Sequence, residues 1–537
     1  MNKNIEDLDF NQNIIIDIRP KNLHNNYHLK NSIQIDIDDI NSIKKITVEN
    51  PDKDIILYCQ TGLKSQKLIN DNFPDLKNLY NLNGGIFNAN IEIIETNDEF
   101  ITKLSESKKK LKDNFLADKR PWIIAFSGGK DSTVVLQLVY ELVLSLPIDQ
   151  RKKVFVVMSD TKVESPVVED YLENTMSMLN DSAKEQNIDF EAITVHPSDK
   201  EQFWFNLIGK GYPSPTRTFR WCTDKLKIRP TQSTLDRITS KYGSCVLLLG
   251  ARKDESINRQ RSIESRSVNS RGMYPHDYIA NTLVYNAIEN WSNDDVWYFL
   301  TSHNPPPWKK NHDELLKLYT QAHGGECEFI TNTDQPSCGS SRFGCWVCTV
   351  VNDDKSMKGF INTGEEWLTP LYDFRFFLKE IREDQTKRST FRRNGTYGPG
   401  PFTTDTRILI LKELLKIEKK VGRKLISDSQ ILMIQEQWNK DFDINNTAIT
   451  ISKENGRMID NNKDDFSQNN MFLHLDLLKQ AADNNNLELN FIANIVNESL
   501  DIYSSNMDES KVSHEIKHLI EKTINNKCMP AGVNSED

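Results

Sequence analysis

Three places in the chain gather residues whose types and spacing can do chemistry. The first is Ser127-Gly128-Gly129-Lys130-Asp131-Ser132-Thr133, which follows the apolar run IIAF and leads into an apolar stretch of helical character. Paired glycines let the backbone turn tightly and approach a ligand with no Cβ in the way. Ser132, Thr133 and the free N–H groups of a helix start suit phosphate, with the positive end of the helix dipole behind them. Lys130 adds a point charge, and Asp131 a carboxylate able to help hold Mg²⁺. The spacing G-x-x-x-x-G-K-[ST] is absent, so this is not a Walker loop. The second place is Cys59-Gln60-Thr61-Gly62-Leu63-Lys64-Ser65, after the run IILY. A cysteine at a strand end, wrapped by loop amides and facing a helix start, is expected to have a lowered pKa, and the same amides would stabilise an anionic persulfide.

The third is Cys338-x6-Cys345-x2-Cys348 in SCGSSRFGCWVCTVV. Thiolates at this spacing bind either zinc or an iron–sulfur cluster. A fourth ligand is needed, and the candidates are Cys327 in GGECEF and the distant Cys222 in RWCTDKLKIRP. Four of the eight cysteines, Cys327, Cys338, Cys345 and Cys348, crowd into residues 327–348, which in a reducing cytosol reads as metal or redox chemistry rather than a disulfide framework. A further segment, Gly250-Ala251-Arg252-Lys253-Asp254-Glu255-Ser256, closes another apolar run, and an arginine at such a strand end suits bidentate phosphate binding.

The elements that must position these groups follow from the pattern. From about residue 12 to 95, short β-type runs (IIID at 14–17, DIILY at 54–58, NLYNL at 78–82) alternate with helix-compatible stretches, the pattern of a small α/β domain over 1–98. A charged, helix-prone linker spans 99–119. Strands then recur at IIAF, VFVVMSD (154–160), FEAITV (190–195) and CVLLLG (245–250), with helices between them. This rhythm predicts a doubly wound, mostly parallel sheet over 120–320, with ligands outside the carboxyl ends of its strands. Ser292 is read as a helix cap and Val296 as core. Residues 321–420 hold the cysteines and a basic stretch in which Arg375, Lys379, Arg382, Lys387, Arg388, Arg392 and Arg393 interleave with Phe391 and Tyr397. That stretch suits nucleic-acid backbone contact or a solvated basic helix. A helical, polar region follows over 421–537.

Composition sets the bounds. A chain of 537 residues exceeds one ordinary core, and 37% hydrophobic with 27% charged residues fits a globular protein. No apolar run approaches the length needed to span a bilayer, and the N-terminus lacks a secretory pattern, so no membrane partner and a cytoplasmic location are expected. The net charge of −10 argues against a chain that coats nucleic acid, without excluding a local basic groove.

The string SGGKDST resembles the pyrophosphate loop of the ATP pyrophosphatase and PAPS reductase superfamily, whose members cut ATP between its α and β phosphates. That resemblance implies nucleotide contact at Ser159-Asp160-Thr161, which ends the second strand, and at the Gly250 and Arg252 segment. In its cluster-bearing members a cysteine followed by a basic residue and proline joins a distant C-x-x-C, which favours Cys222 as the fourth ligand; here one cysteine stands where a pair is usual. Together SGGKDST, RWCTDKLKIRP, GGECEF and CGSSRFGCWVCTVVNDDKSM are similar to the DndC sulfurtransferases of DNA phosphorothioation, over roughly residues 105 to 420. The cysteine at 59, with Asp17-Ile18-Arg19, His28-Leu29 and Leu82-Asn83-Gly84-Gly85 around it, resembles the rhodanese active loop, with Lys64 where arginine is frequent.

The resemblance implies an ATP-dependent sulfurtransferase with a [4Fe–4S] cluster, ATP and Mg²⁺ as cofactors. Its implied partners are DNA, other Dnd-system proteins and a cysteine desulfurase or another sulfur donor. Cys59, Lys130, Asp131 and Cys327 are the expected catalytic residues, Cys327 as a sulfur carrier if Cys222 completes the ligand set with Cys338, Cys345 and Cys348. A tRNA thiolation enzyme, and a non-catalytic nucleotide-sensing iron–sulfur subunit of a DNA-defence complex, are the alternatives.

Overall fold

The computed structural model describes residues 2–89, 94–95, 99–322, 343–392, 396–441, 443 and 446–459. Cys327, Cys338, Arg393 and most of the expected C-terminal region lie outside them. The chain divides into two compact units. The first comprises Met1–Pro197, Thr223–Cys345 and Lys355–Glu365; the second comprises Ser198–Cys222, Trp346–Asp354 and the described residues from Glu366 on.

The first unit holds both predicted sheets. Near the N-terminus lie β1 (Asn2–Lys3), β2 (Ile14–Asp17), β3 (His28–Leu29), β4 (Ile33–Gln34), β5 (Ile55–Tyr58), β6 (Leu79–Leu82) and β7 (Ile94–Glu95). Five of these form a parallel sheet in the order β1-β6-β5-β2-β4, and β3 pairs with β7. Central β5 is buried along its whole length, as an apolar strand covered on both faces must be. Ile14 pairs with Ile55 and Asp17 with Tyr58, so the ends of β2 and β5 deliver Asp17, Arg19 and Cys59 to one edge.

The helix Glu99–Leu116 leads to the larger sheet. Its strands are β8 (Trp122–Ala125), β9 (Val154–Ser159), β10 (Phe190–Val195), β11 (Cys245–Leu248), β12 (Met273–Pro275) and β13 (Thr282–Tyr285). The order is β10-β9-β8-β11-β13-β12, parallel except for β12, which runs antiparallel to β13. From β8 the chain steps one way through β9 to β10 and later the other way through β11 to β13. The reversal falls between β8 and β11, and it is at such a switch point that a doubly wound sheet opens a crevice beyond its strand ends. The loop at 127–133 leaves β8 there and residues 250–252 leave β11 there. The helix Lys130–Ser145 lies sunk in this unit, with Val134, Val135, Leu138, Val139, Leu142 and Val143 fully buried. Ser292 caps its helix through a capping box with Asp295, and Val296 is fully buried behind it, as read from the sequence.

The second unit is helical, built on Thr369–Glu383, Thr404–Val421, Asp428–Asp441 and Thr447–Glu454. The indoles of Trp204 and Trp438 donate to the carbonyls of Leu425 and Ile208 (2.8 and 2.9 Å), so its largest side chains also tie its loops. Among the described residues no helix is long and apolar enough to cross a membrane.

Candidate functional site

The loop after β8 is shaped by what its glycines allow. Gly128 has φ +71°, and a Cβ there would fall 2.2 Å from Leu172. Gly129 caps the helix Lys130–Ser145, and the Ser132 and Thr133 hydroxyls donate back to its carbonyl (2.9 and 3.0 Å). Ser127 N–H donates to Ser132 Oγ (3.3 Å), which closes the loop on itself. A Cβ on Gly250 would sit 2.8 Å from the backbone of Asp131 and Ser132, so the end of β11 presses directly on the helix start.

The charged groups of the site are engaged with one another. Arg252, 2% exposed, donates from Nε to Asp131 Oδ1 (2.6 Å) and from Nη1 to the Trp291 carbonyl (3.2 Å). Asp131 is therefore held by Arg252 rather than left to solvent. Lys130 is buried: its ammonium lies 3.8 Å from Asp131 and faces the rings of Tyr319 and Trp297 at 5.4 and 6.0 Å. Its backbone N–H donates to the Tyr319 hydroxyl (3.1 Å). At the end of β9, Asp160 accepts from Lys162 (2.9 Å) and pairs with His196 (3.2 Å). Burial works to raise the Asp160 pKa, but the hydrogen bonds from His196 and Lys162 prevail and hold it at about 2. The structure thus brings Ser127, Gly128, Gly129, Lys130, Asp131, Ser132, Thr133, Gly250 and Arg252 together at the switch point, with Asp160 at the end of the neighbouring strand.

The cysteine-bearing loop after β5 is built on the same strand–glycine–helix plan. Gly62 has φ +83° and starts the helix Leu63–Asn72. Cys59 is 4% exposed, its sulfur 3.5 Å from the Ser65 hydroxyl, which donates to Asn81 Oδ1 (2.6 Å). Gly85 packs against the carbonyls of Cys59 and Gln60, where a Cβ would collide at 2.3 and 2.7 Å. Gln60 turns away from its own loop. Its amide lies 3.5 Å from Glu141 Oε2 and 3.4 Å from His303 Nε2, and its oxygen accepts from Tyr27 (3.3 Å). His303 and Glu141, 2% and 1% exposed at their side chains, pair at 3.2 Å. Burial holds His303 below the ordinary imidazole range, against the pull of Glu141. Asn88 meets Ser145 at the end of the same helix.

The cysteines expected to bind metal are divided between the units. Cys345, in the first, forms a β-bridge with Glu164, and its sulfur lies 3.3 Å from Thr161 Oγ1 and 3.8 Å from Glu164 Oε1. Cys222 and Cys348 belong to the second unit. Among the described residues no three His, Cys, Asp or Glu side chains converge as a metal site, and Cys327 and Cys338 lie outside those residues. One part of the basic stretch is corrected. Arg375, 1% exposed, donates from Nε to the Cys348 carbonyl (2.6 Å) and also reaches the carbonyls of Val351 and Asn352. Arg382 donates to the carbonyls of Pro215 (2.7 Å) and Thr349 (3.3 Å). These two guanidiniums hold a loop instead of forming a surface. Phe391, Arg392 and Tyr397 remain exposed.

Comparison with known proteins agrees with both sheets. The phosphoadenosine phosphosulfate reductase domain family matches residues 121–351, and the rhodanese-like domain family matches residues 1–91. The chain joins a rhodanese-like domain to a PAPS reductase-like domain. Two uncharacterised proteins of Methanocaldococcus jannaschii are similar to it. One is 25% identical over 49% of this chain and 44% of its own length, the other 26% over 33% and 34%. The chain thus spans less than half the length of these curated relatives. Among solved structures, an FMN adenylyltransferase of Candida glabrata with FMN and an ATP analogue aligns over 60% of this chain and 85% of its own (11% identity, TM-score 0.26). The U34-tRNA thiolase NcsA of Methanococcus maripaludis with its [4Fe-4S] cluster aligns over 56% and 84% (14% identity, TM-score 0.25).

Sequence reasoning missed Tyr319 and the Gln60–Glu141–His303 contact. A signal existed for the second: Gln137 and Glu141, four apart, are polar positions in an otherwise apolar helix, and a buried polar pair needs partners.

Proposed function

We propose that the chain is an ATP-dependent sulfurtransferase of DNA phosphorothioation, with a rhodanese-like sulfur carrier built in. The observation that supports this reading is that one compact unit carries both a glycine-rich loop at the switch point of a PAPS reductase-like sheet and a cysteine-bearing rhodanese-like loop. The amides at the start of the helix Lys130–Ser145 receive the phosphates of ATP, and Lys130 offsets their charge. Arg252 keeps Asp131 oriented toward the loop, where it helps hold Mg²⁺ with the nucleotide, and Asp160 lies on the nucleotide side of β9.

A DNA phosphate oxygen attacks the α-phosphorus, the bond to the β-phosphate breaks and pyrophosphate leaves. The terminal sulfur of a Cys59 persulfide, supplied by a cysteine desulfurase or another donor and passed on to the reacting phosphorus, then displaces AMP. A second thiol, for which Cys327 is the candidate, attacks the remaining S–S bond. That leaves a protein disulfide and a phosphorothioate on the DNA, with each electron pair accounted for. A [4Fe–4S] cluster on Cys222, Cys338, Cys345 and Cys348 belongs to the same proposal, and no step above depends on it. DNA reaches the enzyme with the other Dnd-system proteins, in the cytoplasm.

The test is pyrophosphate release by purified protein with ATP and duplex DNA. DNA-stimulated release is expected, and Cys59→Ser should keep that release while losing sulfur incorporated into DNA. Release stimulated by tRNA and not by DNA would move the reading to tRNA thiolation. No release from folded protein with either nucleic acid would overturn the activation step.

A further inference from the structure

We infer that Tyr319 is a residue of the nucleotide site, whose hydroxyl occupies the position of a phosphate oxygen on the Lys130 amide and yields it when a nucleotide binds. The inference rests on reading 127–133 as the phosphate loop and adds a residue that the sequence pattern does not reveal, since Tyr319 stands 189 positions from Lys130.

The first amides of a helix have no acceptor within it, and these are the donors a phosphate uses. In the helix Lys130–Ser145 the first of them, Lys130 N–H, is taken by the oxygen of Tyr319 at 3.1 Å. That oxygen arrives from the helix Asp313–Ala322 and sits close over the glycine turn, 3.3 Å from where a Cβ on Gly129 would be. Tyr319 is 5% exposed and packs edge-on against Trp297 at 4.9 Å. The two rings face the Lys130 ammonium, itself 4% exposed.

One side chain therefore restrains both parts of Lys130 that a phosphate needs, its amide and its charge. A hydroxyl and a phosphate oxygen cannot both accept the same short hydrogen bond, so the nucleotide must displace the tyrosine oxygen. An anionic phosphate oxygen makes the stronger, charge-assisted bond and can do so. Displacement costs the hydrogen bond to the hydroxyl, and that cost is subtracted from nucleotide affinity.

The test is Tyr319→Phe, which keeps the ring beside Lys130 and removes only the competing oxygen. Equilibrium binding of Mg–ATP and of inorganic pyrophosphate to the full chain should tighten, by about three- to tenfold for the loss of one competing hydrogen bond. Damage to the fold would weaken binding, so the direction of the change separates the two. If wild type binds neither probe, the phosphate-loop reading itself fails. If wild type binds and Tyr319→Phe binds equally or more weakly, Tyr319 is not the competitor. As a second measurement, 3-fluorotyrosine at position 319 of the otherwise wild-type chain should shift its ¹⁹F resonance at saturating ATP, and an unmoved resonance overturns the displacement.

Discussion

The loops at 127–133 and 59–65 share one plan, a buried parallel strand running into a glycine with positive φ and then a helix, yet they meet opposite surroundings. The nucleotide loop opens at the reversal of strand order, and its charged groups are paired in ways a ligand can exchange: Asp131 with Arg252, the Lys130 amide with Tyr319. The cysteine loop is fixed from outside. Gln60 inserts beside Glu141 and His303, and Asn88 meets Ser145, all toward the far half of the helix that the nucleotide loop begins. Glu141 follows Lys130 by eleven residues (141 − 130), which is about 16 Å of helix. A shared backbone plan does not set a loop's role; what its side chains meet does. Under the proposed sulfur transfer, a persulfide hands over its sulfur only in contact, and Gln60, next to Cys59, is docked on the far half of this helix. Direct transfer from Cys59 therefore calls for the cysteine loop to leave this docked position.

The helix Lys130–Ser145 serves both loops, so a change within it has the largest effect. Glu141→Ala should cost about 2–4 kcal/mol in a denaturant titration, because it removes the buried carboxylate that the amides of Gln137 and Gln60 and the ring of His303 share, leaving Gln137 with the Asn304 carbonyl. The docked loop should suffer first: labelling of Cys59 by a maleimide, followed on its own peptide, should speed up in this variant. Unchanged stability and labelling would show that the polar contact holds nothing. Gly250→Ala acts at the other end. Its Cβ would meet backbone at 2.8 Å, so the helix start must shift, at about 1–3 kcal/mol and with roughly tenfold weaker ATP binding, while Cys59 labelling stays as in wild type. Loss of both properties together would mean that the two loops are coupled through the helix.

A third effect depends on pH and concerns Lys108, buried under the Phe87 ring at 4.5 Å. Burial pushes its pKa down to about 8 against the pull of Glu141, while an unfolded lysine titrates near 10.4. Between these values the unfolded chain binds more protons than the folded one, so this group makes stability rise with pH from about 8 upward. Lys108→Met should remove that rise, seen as a shrinking advantage over wild type as denaturation midpoints are compared across the window. A constant difference would show that Lys108 stays charged in the fold.

Much of this was legible in the sequence because continuous apolar runs admit little but buried parallel strands: β2, β5, β9 and β10 appear within a residue of where the pattern puts them. Strands β12 and β13 escaped, since MYP and TLVY are short and lie among polar residues. Arg375 and Arg382 were read by their charge, although the spacing of Leu371, Phe374, Leu378 and Ile381 places both on the buried face of their helix. Tyr319 left no local mark, because its contact with the loop depends on packing between helices far apart in sequence.

The arginine clamp has a consequence for where the domain ends. The PAPS reductase-like match stops at residue 351, yet the carbonyls of Cys348, Thr349, Val351 and Asn352 are held by side chains at 375 and 382. The boundary that homology draws is thus not one at which the polypeptide can be cut. A chain ending at 351 would keep its cysteine and lose the donors that hold the loop around it, so residues past the match are as much part of the domain as those within it.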